Sequence, residues 1–540
     1  MSAFSFIARS ENPVFDRLAL AVLAAITGIA ALTFRDYGLG WDDYTHAEYG
    51  NLLLGLFSSG FADQRVFAFV NLYMYGGGFD LVATLLAKVS PFDLFETRRL
   101  LGALLGIAGL YVTWRLGRRL GGPVAGLFAL VLLALIPLYY GHMFMNPKDS
   151  PFAVAVAFLL LTLVRAFQEY PRPQSTTVVL FGLALGATIG SRVIGGMVGI
   201  YALAAALLLF ALECRAHGSR EAALRMVRFV AAMLPGLAIG YIVMGLLWPW
   251  SILDPLNPLR AVEYFSHFFE KPWQEMFDGA AVWVPDMPRS YVPTLFAVKL
   301  PEVVLLLGLL GIGGTAIALT RPAIPARQRA ALLLVVVAAV LPIAAAVITR
   351  PAMYNGVRHF IFVTPAFAVL GALAGAWIFG SVREAGPRLR AAAAVATMAA
   401  FSLPVIEMVR LHPYQYAAFN RLSGGVQAAE ERYMIDYWGL AFKQASEELR
   451  ALLTARMETP GNGRRWKIAV CGPHHPAAVE LGPEFETTYD TKGADFALMS
   501  GEFYCNEYRA PVLVQVEREG IVFAKVYDIR NRSVSGVFKR

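Results

Sequence analysis

An α-helical polytopic membrane protein with a small α/β domain at its C-terminus is predicted by three features of this sequence. Hydrophobic residues make up 57% of the 540 residues and charged residues only 16%, whereas soluble domains average roughly 45–50% and 25%. The apolar residues form separate runs, each about as long as a helix that crosses a ~30 Å hydrocarbon layer. Alternating apolar and polar residues, which are typical of strands, follow after residue 412.

About eleven membrane-spanning helices are predicted from these apolar runs. They must be helices because lipid offers no hydrogen-bond partner to an exposed backbone amide. The stretch 78–90 is too short to span and is predicted to be an interfacial or re-entrant helix. No small-residue cleavage site follows the first run, which is therefore expected to stay as a signal anchor. The predicted spans are 16–34, 98–116, 123–140, 151–168, 176–190, 194–213, 229–249, 302–320, 330–349, 360–380 and 391–411.

Basic residues lie in the short loops at alternate helix ends, and this pattern gives the predicted orientation. With Arg9 and Arg17 on the cytoplasmic side, every inside loop is basic, in agreement with the positive-inside rule. An odd number of spans then puts the C-terminal domain outside, which for a bacterial inner membrane is the periplasm. The same distribution accounts for the net charge of +8 without a nucleic-acid partner. The other inside residues are Arg115, Arg118, Arg119, Arg165, Arg172, Arg215, Arg220, Arg225, Arg228, Arg321, Arg327, Arg329, Arg383, Arg388 and Arg390.

Two domains are predicted, a membrane domain over residues 1–411 and a periplasmic α/β domain over 412–540. The long outside loops 35–97 and 250–301 are rich in aromatic residues, Asp, His and Pro, so chemistry is expected at the outer membrane face. In the second loop, WPWSILDPLNPLRAVEYFSHFF and KPWQEMF are predicted to form short amphipathic helices. The C-terminal domain is predicted to contain a polar helix near 440–455 and strands at WKIAVCG, DFALMSG, PVLVQVE and IVFAKVYDI.

The strongest local motif is GWDDYTHAEYG at 40–50, directly after the first apolar run. Asp42 and Asp43 are adjacent there, with His46 close behind. A carboxylate at a dry interface can act as a general base, because desolvation and a like-charged neighbour raise its proton affinity. The alternative is that Asp42 or Asp43 only caps the helix that follows.

A second acidic loop, YYGHMFMNPKDSPF, contains His142, Lys148 and Asp149 directly before a new apolar run. A helix N-terminus beside a lysine suits an anion, although Asp149 alone could be a helix cap. His46 and His142 are candidates for contacts with a donor or an acceptor.

Arginines next to predicted spans are candidate phosphate ligands. Arg192 lies in ATIGSRVIGGM, and Arg358 with His359 lies in MYNGVRHFIF. An arginine near membrane depth usually has a partner, and its guanidinium matches a phosphate bidentately. The alternative is that these side chains anchor helix ends at the interface. In the C-terminal domain, His474 and His475 are predicted to be loop residues, and Cys471 and Cys505 are candidates for a disulfide in an oxidising periplasm.

These motifs together resemble the GT-C superfamily of membrane glycosyltransferases. WDDYTHAEYG, NPKDSPF, SRVIGG and GVRHFIF follow one another in the order found in the protein mannosyltransferase and aminoarabinose transferase group, over roughly residues 35–365. The segment HPYQYAAFNRLSGG…MIDYWG at 412–439 also looks like a sequence of its bacterial members. The resemblance implies membrane helices that carry interfacial helices over a lipid-facing cavity. It also implies a polyprenyl-phosphate sugar donor and an acceptor (a glycan, a lipid or a protein) that arrives from outside.

The resemblance also assigns roles to residues. Asp42 falls at the family's catalytic carboxylate and is the expected general base of an inverting transfer. Asp43 replaces the family's Glu, and Asp149 matches its second acidic position. Lys148, Arg192, Arg358 and His359 are the expected contacts of the donor phosphate. Some members of the family use a divalent cation, so Mg²⁺, Mn²⁺ or Zn²⁺ held by Asp43 and Asp149 is a further expectation.

A transporter or lipid flippase is the alternative function for a chain with this many spans. Such proteins usually carry charged or helix-breaking residues near the midplane of paired segments. Here the polar residues gather in the outside loops, and no internal repeat is visible in the sequence. A protein whose membrane part is inert and whose C-terminal domain does the work is a third possibility.

Overall fold

The structure, a computed structural model, describes residues 13–266 and 273–539. Arg9 lies outside the described residues. Within them, nine helices are long and apolar enough to cross a membrane. The helices of the membrane domain are α1 (Pro13–Thr33), α2 (Asp43–Ser58), α3 (Gly78–Ala87), α4 (Leu94–Ala134), α5 (Pro137–Met145), α6 (Asp149–Gln168), α7 (Ser175–Ser191), α8 (Val198–His217), α9 (Ser219–Leu247), α10 (Trp250–Leu253), α11 (Asn257–Ser266), α12 (Tyr291–Lys299), α13 (Glu302–Thr320), α14 (Ala326–Thr349), α15 (Thr364–Arg383) and α16 (Pro387–Arg410).

The predicted polytopic helical fold is confirmed, with two differences in detail. Helix α4 contains one predicted span and part of the next, and it breaks at Gly122, where φ is 83°. The predicted span 123–140 is not one helix, because Ala134 ends α4 and Pro137 begins α5. The residue before a proline avoids the helical region, and Ile136 is accordingly extended. Helix α7 is apolar but has only 17 residues, one reason why fewer than eleven helices count as full spans.

The second outside loop contains a hairpin where a helix was predicted. The segment QEMF forms β1 (Gln274–Phe277), which pairs antiparallel with β2 (Ala280–Trp283). The two-residue connection is Asp278-Gly279, and both residues have positive φ. An Asp-Gly pair is a strong signal for a two-residue hairpin turn, so this turn outweighs the amphipathic pattern around it.

Small residues bring α7 and α9 into close contact. A Cβ added at Gly182 would lie 2.6 Å from the Gly236 carbonyl oxygen, and one at Gly186 would lie 2.6 Å from that of Gly240. The four-residue spacing on both helices is the small-xxx-small pattern by which membrane helices approach each other. This packing fixes the end of α7, where Arg192 follows.

The C-terminal domain is the predicted α/β domain. Its sheet has the strand order β4-β3-β5-β7-β6, in which β3 is parallel to β4 and β5, while β7 is antiparallel to β5 and β6. A disulfide joins Cys471 and Cys505. His474 and His475 begin a helix rather than lying in a loop as predicted. The elements are α17 (Gly425–Ala429), α18 (Ala441–Ala455), β3 (Trp466–Cys471), α19 (His474–Leu481), β4 (Phe485–Thr488), β5 (Phe496–Ser500), β6 (Val512–Arg518) and β7 (Ile521–Asp528).

The C-terminal domain docks on the first outside loop. The Glu480 carboxylate accepts hydrogen bonds from the Leu39 amide at 2.9 Å and from the Arg99 guanidinium at 3.1 Å. Before α18, the Tyr37 hydroxyl donates to Gln415 Oε1 at 3.0 Å. The loop that carries the acidic pair is therefore hydrogen-bonded to the C-terminal domain.

Loss of the disulfide should destabilise the C-terminal domain. It closes a loop with a sequence separation of 34 residues, and a disulfide of this kind typically contributes about 2–4 kcal/mol by restricting the unfolded chain. We expect Cys471→Ser with Cys505→Ser to lower the unfolding midpoint of the purified protein in denaturant titrations. Cys214→Ser, at the free cysteine, is the control and should leave the midpoint close to that of the parent protein. An equal effect of both changes would contradict the prediction.

Candidate active site

A cavity of about 1320 Å³ opens at the end of the helix bundle that carries the long loops. Asp42, Lys148 and Arg358 line it on the membrane-domain side, while His474 and Tyr489 line it on the C-terminal domain. Sites for one small ligand usually measure about 300–1,000 Å³. The cavity therefore has room for two substrates.

The cavity floor is an ionic cluster, defined here as Asp42, Lys148, Asp149, Arg192 and Arg358. Lys148 Nζ lies 2.9 Å from Asp42 Oδ2, and an Arg358 terminal nitrogen lies 2.9 Å from Asp149 Oδ2 and 3.9 Å from Asp42 Oδ2. Arg192 pairs with the other Asp149 oxygen. The structure thus brings together the two acidic loops and both arginines that the sequence singled out, although Asp149 and Arg192 lie behind the residues that line the cavity.

Neither aspartate of this cluster acts as a side-chain helix cap. Asn146 Oδ1 instead accepts the backbone amides of Lys148 at 3.2 Å and of Asp149 at 2.8 Å at the start of α6. Asp42 precedes α2 but makes no side-chain cap bond. Both carboxylates are therefore free to bind the cations.

Asp42 and Asp43 have opposite electrostatic environments. Burial alone would raise the pKa of Asp42, but Lys148 and Arg358 outweigh burial and hold that pKa well below its usual range. Burial raises the pKa of Asp43 to about 6, although Arg98 opposes the shift. The increase in proton affinity that was expected for the acidic pair therefore occurs at Asp43 and not at Asp42.

Asp43 lies behind the cavity wall and does not line it. Its Oδ2 accepts the Gly40 amide at 2.9 Å, and its Oδ1 lies 3.8 Å from Arg98 Nε. Arg98 also binds Asp80 at 2.7 Å, and Asp80 binds His46 Nδ1 at 2.8 Å. His46 reaches the cavity, and its buried Nε2 has no hydrogen-bond partner among the described residues.

The expected cation site at Asp43 and Asp149 does not form. Asp149 gives its oxygens to Arg192, Arg358 and Asn146, whereas Asp43 faces a backbone amide and Arg98. Over residues 13–266 and 273–539, no three Asp, Glu, His or Cys side chains cluster in a way that could hold a metal ion. The residues present do not fit a bound divalent cation.

The two remaining histidine candidates are set back from the cavity. His142 is fully buried, and its Nε2 lies 2.9 Å from the Tyr437 hydroxyl, while its Nδ1 lies 3.1 Å from Asn146. His359 stacks edge-on against Tyr354 at 4.9 Å between ring centroids. Neither histidine lines the cavity, but Tyr354 and Tyr437 do.

Sequence reasoning missed Tyr75 and Tyr437. The Tyr75 ring lies 5.3 Å from Lys148 Nζ and 5.7 Å from the Arg192 guanidinium carbon, so it packs against two cations of the ionic cluster. Tyr437 belongs to MIDYWG, which was noted as a resemblance without a role. No local pattern distinguishes these tyrosines from the other aromatic residues of the outside loops.

A buried acidic cluster, Glu275, Asp436 and Glu502, joins the second outside loop to the C-terminal domain. Glu502 Oε1 accepts the Ile435 amide at 3.0 Å, and Glu275 Oε2 accepts the Asn355 amide at 2.9 Å. Burial raises the pKa of Glu275 to about 7 and that of Asp436 to about 6. Burial, with Asp436 and Glu275 as neighbours, raises the pKa of Glu502 to about 8.

Comparison with known proteins agrees with this architecture. Residues 78–239 match the family model described as dolichyl-phosphate-mannose-protein mannosyltransferase. A crystal structure of the Archaeoglobus fulgidus oligosaccharyltransferase with a tethered acceptor peptide aligns with 88% of this chain and 64% of that chain, at 12% identity and a TM-score of 0.51. The apo crystal structure of ArnT from Cupriavidus metallidurans aligns with 97% of this chain and 100% of that chain, at 15% identity and a TM-score of 0.49. Among curated protein sequences, none matches this chain.

The chain therefore has the GT-C fold of membrane glycosyltransferases. The predicted resemblance to the GT-C superfamily is confirmed at the level of the fold and, over residues 78–239, by the matching family model.

The acidic cluster should make stability depend on pH. The folded protein keeps the Glu502 proton up to a pKa of about 8, whereas the usual value is 4.5. The folded form then binds more protons than the unfolded form, so stability is highest at low pH and falls as pH rises through this window, by up to about 1.4 kcal/mol per pH unit. We expect Glu502→Gln to reduce this slope in unfolding measurements between pH 5 and about pH 8. Glu507→Gln, at an exposed carboxylate, is the control, and an unchanged slope in Glu502→Gln would contradict the prediction.

Proposed function

We propose that this protein transfers a sugar from a polyprenyl-phosphate donor to an acceptor hydroxyl at the periplasmic face of a bacterial inner membrane. The observation that carries the proposal is the ionic cluster at the cavity floor, where the half-buried Asp42 carboxylate lines the cavity beside Lys148 and Arg358. The family model that matches residues 78–239 is named for a dolichyl-phosphate-linked sugar, which is a donor of the same chemical class.

The ionic cluster at the cavity floor has a net positive charge, which suits the negatively charged donor phosphate. The cluster contains three cations against two carboxylates, which leaves one positive charge in excess. Lys148 and Arg358 both line the cavity. A phosphate bound beside them would neutralise the excess charge, and guanidinium and phosphate match in geometry.

The reaction is a single displacement that inverts the anomeric carbon. The acceptor oxygen attacks that carbon from the face opposite the phosphate, and the bond from carbon to phosphate oxygen breaks with its electron pair going to the phosphate. Asp42 accepts the proton of the attacking hydroxyl, while Lys148 and Arg358 stabilise the negative charge on the leaving phosphate.

His46 is the proposed acceptor of that proton from Asp42. A general base must release the proton after each turnover. The low pKa of Asp42 favours this release. His46 follows one helical turn later, and its amide donates to the Asp42 carbonyl at 3.0 Å. Residues four apart share a helix face. Asp80 orients the ring through Nδ1, in the manner of a catalytic His–Asp pair.

The side of the membrane is inferred from two features. The basic loops predict that the cavity end of the bundle faces outward. The disulfide in the docked domain supports this, because disulfides persist in oxidising compartments such as the periplasm. A transporter or flippase has less support, since the ionic cluster lies at one end of the bundle and beside a soluble domain.

Asp42→Asn should abolish transfer with little effect on folding. Removal of a general base typically lowers a rate by about 10²–10⁴-fold, and the Asp42 side chain is 26% exposed, so its loss leaves no deeply buried cavity. The measurement is the turnover of a panel of polyprenyl-phosphate sugars, followed by mass spectrometry. Asp63→Asn, at a loop carboxylate paired with Arg65, is the matched control. Full turnover in Asp42→Asn would remove the catalytic assignment.

Lys148→Gln should weaken binding of the lipid phosphate. A hydrogen bond to a charged group contributes about 1.5–3 kcal/mol, so we expect the Kd for undecaprenyl phosphate to rise roughly 10-fold or more. Arg65→Gln, which removes an exposed cation from the same outside loop as Asp42, should leave Kd unchanged. Equal effects in the two variants would indicate general electrostatic attraction and no phosphate site.

A further inference from the structure

Five ring side chains of the C-terminal domain form a nearly continuous wall of the cavity. This aromatic row consists of His474, His475, Tyr489, Tyr504 and Phe538, all of which line the cavity. The His474 and Tyr489 rings stack at 4.2 Å between centroids, and Phe538 lies 6.4 Å from both Tyr489 and Tyr504. His475 lies 6.3 Å from His474. The rings follow one another along the part of the cavity wall that the C-terminal domain supplies.

The aromatic row is fixed in place from several sides. Tyr44, two residues after Asp42, stacks on His475 at 5.1 Å, so one end of the row adjoins the acidic motif. The other end is held by the disulfide, since Cys505 is bonded to Cys471 and pairs with Phe538 in an isolated β-bridge. Contacts at both ends therefore hold the aromatic row in a fixed position, as a binding surface requires.

Two members of the aromatic row are large hydrophobic side chains that are exposed to solvent. Tyr489 is 55% exposed and Phe538 is 48% exposed. An exposed cluster of this kind beside a cavity usually marks a binding surface. Its continuity with the cavity that holds Asp42 indicates that its ligand takes part in the same reaction.

The charge of the cavity wall limits what this ligand is. Among the described residues that line the cavity, Lys148 and Arg358 are the only Lys or Arg, and both lie on the floor. Burial and the neighbouring His475 lower the pKa of His474, which stays neutral at physiological pH. The row therefore offers flat ring faces and no Lys or Arg side chain to a phosphate or carboxylate.

We propose that the aromatic row is the acceptor subsite and that the acceptor is an uncharged carbohydrate. A sugar ring has a face of C–H groups, whose slight positive charge suits the negative face of an aromatic ring. Its hydroxyls point outward from the ring edge, so one of them can reach Asp42 while the ring rests on the row. This inference rests on the proposed function, because it names the substrate that receives the sugar.

Replacing an aromatic side chain of the row by alanine should weaken carbohydrate binding and leave binding of the lipid phosphate unchanged. The probes are neutral hexose oligosaccharides of two to four units, a Ser/Thr-containing peptide and a phosphorylated glycolipid, each titrated against the full-length protein. We expect oligosaccharides to bind, and Tyr489→Ala or Phe538→Ala to raise their Kd about 5- to 10-fold, the scale of one aromatic stacking contact. Tyr489→Phe keeps the ring and should retain parental affinity. The Kd for undecaprenyl phosphate should stay the same in all three variants.

The outcomes separate this inference from the proposed function. Binding of the peptide or the phosphorylated glycolipid, if it is tighter than oligosaccharide binding and lost in Tyr489→Ala, overturns the carbohydrate class. Oligosaccharide binding that is absent, or unchanged in both alanine variants, overturns the subsite. Failure of undecaprenyl phosphate to bind the parent protein counts against the proposed function instead.

Discussion

The shared carboxylate of Asp149 is the interaction on which the site depends. It binds Arg192, which follows α7, and Arg358, which precedes α15, so one anion fixes three separate parts of the membrane domain. Both arginines and the aspartate are largely buried. Loss of one partner would leave a buried charge uncompensated, at a typical cost of about 3–5 kcal/mol. Because Asp149 is fully engaged, Asp42, Lys148 and Arg358 are the members of the cluster that line the cavity.

The soluble domain completes this site from the other side. A Cβ at Gly38 would lie 2.2 Å from the Leu440 carbonyl oxygen, and one at Gly40 would lie 2.4 Å from the Trp438 ring. The strand of chain that leads to Asp42 is thus pressed directly against the segment before α18, and only glycine allows that approach. The position of Asp42 is therefore set jointly by the two predicted domains, both of which line the cavity.

The sequence predicts the parts of this protein that depend on local pattern. Hydropathy gives the long helices, alternation gives β3, β5, β6 and β7, and the polar motifs give Asp42, Lys148, Asp149, Arg192 and Arg358. It does not give the hidden position of Asp43, the Asp80–Arg98 pair that faces it, or the aromatic row. Those features depend on which face of a helix turns inward and on contacts between residues 18 or more positions apart. The Asp278-Gly279 pair is a local signal in the sequence that does indicate the hairpin of the second loop.

Asp42 and Asp43 have separate positions at the start of α2. Asp42 precedes the helix and lines the cavity, whereas Asp43 is the first residue of the helix and does not line it. Asp43 turns inward, where burial raises its pKa, and Asp42 turns to the cations, which lower its pKa. Environments that push neighbouring pKa values apart commonly assign different roles to like residues. An ionised Asp42 beside the cationic floor fits the proposed reaction, in which the prenyl tail would stay in lipid while the proposed uncharged acceptor would bind along the rings of the C-terminal domain.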